Sequence, residues 1–85
     1  MVYRLELETR ALKELKSLPR ERRELISAIL DDLQNNPRPP GAKKLTGAEG
    51  WRVRKGDYRI LYTVADEARL IRIYRIGHRR EVYRR

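Results

Sequence analysis

Residues 51–55 (Trp-Arg-Val-Arg-Lys) and 58–62 (Tyr-Arg-Ile-Leu-Tyr) alternate apolar and polar positions on either side of Gly56-Asp57. Alternation of period two broken by a two-residue turn predicts a β-hairpin, and glycine at the first turn position suits a type II′ turn. Counting outward from Lys55 and Tyr58 sets Arg54 opposite Arg59, Val53 opposite Ile60, Arg52 opposite Leu61 and Trp51 opposite Tyr62. Successive side chains point to opposite faces, so Trp51, Val53, Ile60 and Tyr62 share a core face while Arg52, Arg54, Arg59 and Leu61 share the other. Arginines placed side by side and directly opposite one another destabilise a sheet unless something anionic neutralises them.

The rest of the pattern builds around that hairpin. Residues 2–8 alternate, with Tyr3, Leu5 and Leu7 inward, and predict a first strand. Thr9 can cap a short helix whose apolar positions Ala11, Leu12, Leu15 and Leu18 have helical spacing. Pro19 ends it, and a longer helix runs from Arg20 to Asn35 with Leu25, Ile26, Ile29, Leu30 and Leu33 in one stripe, stopped by Asn36-Pro37. Residues 37–50, rich in Pro and Gly, predict a loop anchored by Leu45. A turn around Asp66-Glu67 leads to a last strand over 69–76. Pairing Ala65 with Ala68 there sets Tyr62 opposite Ile71, Ile60 opposite Ile73, Leu61 opposite Arg72 and Arg59 opposite Tyr74. The expected architecture is α+β, in the order βααβββ: one domain spanning residues 1–85, with an antiparallel sheet and a helical hairpin packed on one face.

Charge narrows the possible partners. The 85 residues hold 21 Lys and Arg against 12 Asp and Glu, a net +9. Such an excess favours polyanions, nucleic acid first and an acidic protein second. No stretch is apolar enough to span a membrane and no signal peptide is legible, so a cytoplasmic location is expected. With one His and no Cys, neither a zinc site nor a Cys-His or Ser-His-Asp arrangement can be assembled. No metal or cofactor is expected.

The candidate chemistry is therefore an arginine face with an aromatic beside it. Guanidinium forks bind phosphate oxygens bidentately, and Tyr74 could stack on an unpaired base. The alternative is a solvated basic surface whose arginine stems cover the apolar atoms beneath. Lys43 and Lys44 are either plain loop residues or guides for a polyanion. Arg72 extends the arginine face. His78, the single side chain with an ordinary pKa near neutrality, is a candidate acid or base.

Several stretches, in order, resemble the RelE/ParE toxin superfamily: Leu12–Pro19, Asn35–Pro37, Lys43–Gly47, Trp51–Tyr62 and Ile76–Tyr83. The resemblance implies the βααβββ toxin fold and a cognate acidic antitoxin that wraps the toxin in a hetero-oligomer. For RelE-type members it implies metal-independent cleavage of mRNA on the ribosome. There the ribose 2′-OH attacks the adjacent phosphate to give a 2′,3′-cyclic phosphate and a free 5′-OH. Carried over by position, Arg52, Arg54 and Arg59 fall on basic strand positions of the family. Arg79 follows its Gly-basic step, and Tyr83 takes the place of a tyrosine that stacks on the mRNA base. The chain departs from the best-known member of the family, in which lysines stand at positions 52 and 54 and one is assigned the role of general base. Arginine titrates too high to serve as a base, so His78 is expected to take a proton-transfer role, with Glu81 behind it. The alternatives are a ParE-type, non-enzymatic inhibitor of DNA gyrase and a basic RNA-binding domain without nuclease activity.

Overall fold

The computed structural model describes residues 2–78. Seven elements follow one another: β1 (Arg4–Leu7), α1 (Thr9–Lys16), α2 (Arg20–Asn35), β2 (Lys43–Lys44), β3 (Trp51–Lys55), β4 (Tyr58–Ala65) and β5 (Leu70–His78). The strands form one sheet in the order β1-β5-β4-β3-β2. Both helices pack on one face of it. Their apolar stripes meet the sheet in a core of Ala11, Ile26, Leu30, Leu33, Ile60, Tyr62, Ile71, Ile73 and Ile76, flanked by Leu5, Leu7 and Val53.

The β3–β4 hairpin has the register that alternation predicts, from Trp51 opposite Tyr62 to Lys55 opposite Tyr58. Gly56 has φ +58 while Asp57 stays outside the left-handed region. Left-handed backbone at the first turn residue alone fits type II′ and rules out type I′.

Three features differ from the sequence reading. First, the sheet is mixed, because β1 pairs with β5 in parallel. The two helices form the crossover that a parallel pair requires; alternation reports which face is buried, not which strand is the neighbour. Second, Lys43–Lys44 is a short strand antiparallel to β3, continued by a hydrogen bond from the Leu45 N–H to the Gly50 carbonyl. Third, β4 and β5 pair in another register. Ala65 lies opposite Leu70, so the turn holds four residues, closed by Arg69 in the left-handed region at φ 51. A bulge then places Tyr62 opposite Ile73 but Leu61 opposite Arg75, with Tyr74 as the extra residue. Ile60 consequently faces Ile76, Arg59 faces Gly77 and Tyr58 faces His78.

The Ile76 N–H of β5, beyond the reach of β1, is not left to solvent. Glu14 of α1 accepts the Ile76 N–H at 2.8 Å through one carboxylate oxygen and the Arg75 Nε at 3.1 Å through the other. A helix carboxylate thus closes part of an open sheet edge.

Candidate nucleic-acid interface

The face of the sheet away from the helices carries the cations. Lys43 on β2 lies directly opposite Arg52 on β3, and Arg54 on β3 directly opposite Arg59 on β4. Arg52 and Arg54 are two residues apart on one strand, so the four side chains form a quadrilateral of two adjacent like-charge cross-strand pairs. Neighbouring strands are about 4.8 Å apart and next-but-one residues on a strand about 6.8 Å apart. A single phosphate group can therefore be reached from several corners. Leu61, 6% exposed, fills the floor beside Arg52, and Arg59 is itself 7% exposed. Arg59 is the one buried charged side chain among the described residues. Arg54 and Lys43 stand open to solvent and Arg52 is half-buried.

The register sorts the other candidates away from this group. Arg72 lies opposite Thr63 towards the far end of the face and bonds Glu6 of β1 at 3.3 Å. Tyr74 sits in the bulge, and its hydroxyl donates to the Glu49 carbonyl at 3.1 Å. Lys44 is opposite Trp51, so it points to the helix side. Loop 45–50 lies along the Thr63 end of the polar face. At Gly50, φ is +109 and any Cβ would collide with the Tyr62 carbonyl, so glycine is required there.

His78 is the main displacement. It pairs with Tyr58, and Tyr58, Ile60 and Tyr62 all face the helices, so His78 does too. Its ring meets Tyr58 edge-on at 6.0 Å, and Nε2 lies 4.0 Å from an Asp57 carboxylate oxygen. The bulge and the four-residue turn are what put it there. The sheet separates His78 from the four cations. Arg79, Glu81 and Tyr83 lie outside the described residues. Among the described residues no group of three or more His, Cys, Asp or Glu side chains is placed to hold a metal ion, and no helix is long and apolar enough to cross a membrane.

Sequence reasoning missed the place of Lys43 in this face. The signal was available in Thr46-Gly47 and Gly50, turn residues that let Lys44-Leu45 fold back on Trp51 as a second hairpin. Glu14 was missed because a carboxylate inside an amphipathic helix carries no mark that it will cap a strand.

Comparison with known proteins places this geometry. The family model for the ParE toxin of type II toxin–antitoxin systems matches residues 5–83. The chain is 34% identical over 88 residues to a toxin named RelE1 from Methanocaldococcus jannaschii, covering 99% of this chain and 98% of the relative. It is 33% identical to toxin RelG of Mycobacterium tuberculosis over the full length of both. Among solved structures, the RelBE2 toxin–antitoxin complex of M. tuberculosis contains a chain that superposes with a TM-score of 0.82 at 28% identity, covering 92% of this chain and 99% of that one. The archaeal RelE–RelB complex from Pyrococcus horikoshii gives 0.78 at 29% identity, with 93% and 97% covered. Matched along nearly its whole length in sequence and in fold, the chain belongs to the RelE/ParE superfamily of type II toxin–antitoxin toxins.

Proposed function

We propose that this toxin cleaves mRNA on the ribosome, in the cytoplasm, without a metal, and is held inactive by a cognate antitoxin. The observation that carries the reading is the quadrilateral of Lys43, Arg52, Arg54 and Arg59 on the sheet face away from the helices, with Lys43 and Arg54 open to solvent. Guanidinium forks and an ammonium gathered on one face suit the oxygens of a phosphodiester.

In the proposed reaction the 2′ oxygen attacks phosphorus in line with the 5′ oxygen. The 2′-O–P bond forms, the P–O5′ bond breaks, and the products end in a 2′,3′-cyclic phosphate and a 5′-OH. Negative charge grows on the non-bridging oxygens as phosphorus becomes five-coordinate. Arg54 and Arg59 donate to those oxygens more strongly in that state than to the substrate, which is what lowers the barrier. Arg52 holds the neighbouring phosphate and so fixes the register of the strand. The face needs the ribosome because it clamps a phosphate but does little to align a flexible single strand for in-line attack. Arg79 and Tyr83 are proposed to complete the site from the tail, as in RelE-type toxins. The antitoxin, through an acidic segment, covers the same cations; solved relatives of this chain are complexes of RelE with RelB.

One observation favours a second reading: the matching family model is that of ParE. ParE-type toxins inhibit DNA gyrase without cleaving RNA. Controlled expression of the chain, with and without its antitoxin, followed by mapping of mRNA 5′ ends separates the two. The nuclease reading expects new 5′-OH ends inside codons of translated messages, lost when the antitoxin is present. Intact mRNA with a DNA-damage response would replace it with the gyrase reading.

A further inference from the structure

We propose that Lys43 is the general acid of this reaction, protonating the 5′ oxygen as it leaves; the inference rests on the nuclease reading above. The departing 5′ alkoxide needs a proton at neutral pH, and three of the four cations at the site are poor sources. A guanidinium holds its protons too tightly to give one up on the timescale of bond breaking. An ammonium is charged at neutral pH, offers three donors, and releases a proton far more readily.

Position singles out Lys43 among the described residues. Its strand is pinned by the β2–β3 pairing and by the Leu45–Gly50 hydrogen bond, which fix its backbone opposite Arg52 and diagonal to Arg54. The flexible four-carbon stem then lets the amine reach across the quadrilateral. The other titratable groups lie elsewhere. His78 is on the opposite side of the sheet, with Tyr58. Glu6 is three strands from β3 in the sheet order and bonds Arg72. The Tyr74 hydroxyl donates to the Glu49 carbonyl.

The step balances without another reactant. The 2′-OH proton passes to solvent hydroxide, the 2′-O–P bond forms, the P–O5′ bond breaks, and the Lys43 Nζ proton goes to the 5′ oxygen. Water then reprotonates the amine and regenerates the hydroxide.

A leaving group that needs no proton tests this directly. Ribosomes are programmed with an mRNA carrying either an ordinary phosphodiester or a 5′-bridging sulfur at the scissile position, and cleavage by wild type, Lys43→Ala and Lys43→Arg is timed. Both variants should lose at least about 100-fold on the oxygen substrate, the scale of general acid catalysis, and return to within about tenfold of wild type on the sulfur substrate. Equal losses on both substrates would overturn the inference, leaving Lys43 a phosphate contact only. Near-wild-type cleavage of the oxygen substrate by either variant would overturn it as well. If wild-type toxin leaves both substrates intact, the nuclease reading itself falls and the inference with it.

Discussion

Arg38 donates to both oxygens of Asp66, at 3.2 and 2.8 Å, while the Tyr3 hydroxyl donates to the same carboxylate at 2.7 Å. The guanidinium also lies over the Trp51 ring, 5.4 Å from its centroid. These four residues join the start of β1, the loop after α2, the first residue of β3 and the β4–β5 turn. Hydrogen bonds from Arg38 first and Tyr3 second hold the Asp66 carboxyl below the usual aspartate range. A depressed pKa in the folded state stabilises the fold at pH values above the unfolded-state pKa, and the contribution is lost as pH falls through the folded one. Asp66→Asn should therefore flatten the fall in stability below about pH 4, where an unfolded aspartate takes up its proton. Denaturant titrations at a series of acid pH values measure this; wild-type and variant curves of equal slope would show that Asp66 is not coupled to folding. Nothing in the sequence announced the cluster, since Tyr3, Arg38, Trp51 and Asp66 are brought together only by the pairing of distant strands. Tyr62 shows the same limit. Alternation marked it as core, but not that its hydroxyl would donate to the Pro37 carbonyl at 2.7 Å or that burial would push its pKa up to about 12.

Between elements, the bulge in β5 and the Glu14 carboxylate act together. The bulge reverses the parity of the strand, which brings Ile76 into the core and turns His78 towards the helices. Glu14 then holds the kinked segment by the Ile76 N–H and the Arg75 side chain. Removing that acceptor exposes the cost of a buried polar group, so Glu14→Ala should lower the unfolding free energy by about 1–3 kcal/mol. A change inside about 0.5 kcal/mol, the size of an ordinary surface substitution, would mean the edge is closed by something else. The two hairpins of the central sheet show why one register was legible and the other was not. Gly56-Asp57 is a two-residue turn with its own chemistry, so counting from it gave all five pairs. Asp66 to Arg69 has no glycine; its left-handed residue is an arginine, and a bulge follows. Counting from a two-residue turn there misplaces Arg72 and Tyr74, and ending the strand at Ile76 leaves out the pairing of His78 with Tyr58.

At the scale of the molecule, the chain carries a net charge of +9, and its described cations fall into distinct groups. Three ion pairs tie separate elements together: Arg72 with Glu6, Arg75 with Glu14, Arg38 with Asp66. Lys43, Arg52, Arg54 and Arg59 face one another across neighbouring strands, on the sheet face away from the helices. The family, the βααβ order and the arginine face could be read from the sequence. The division between structural and functional arginines could not, because it depends on which strands β5 lies between. That division separates two arginines, Arg59 and Arg72, that composition treats alike. Cleavage of ribosome-bound mRNA by Arg59→Gln and Arg72→Gln, each checked for folding by circular dichroism, tests it most directly. Loss of one charge-stabilising donor at the reacting phosphate should cost Arg59→Gln about 100-fold or more in rate, while Arg72→Gln stays within about threefold of wild type. Equal losses in the two variants, or full activity in folded Arg59→Gln, would show that Arg59 has no special part in cleavage.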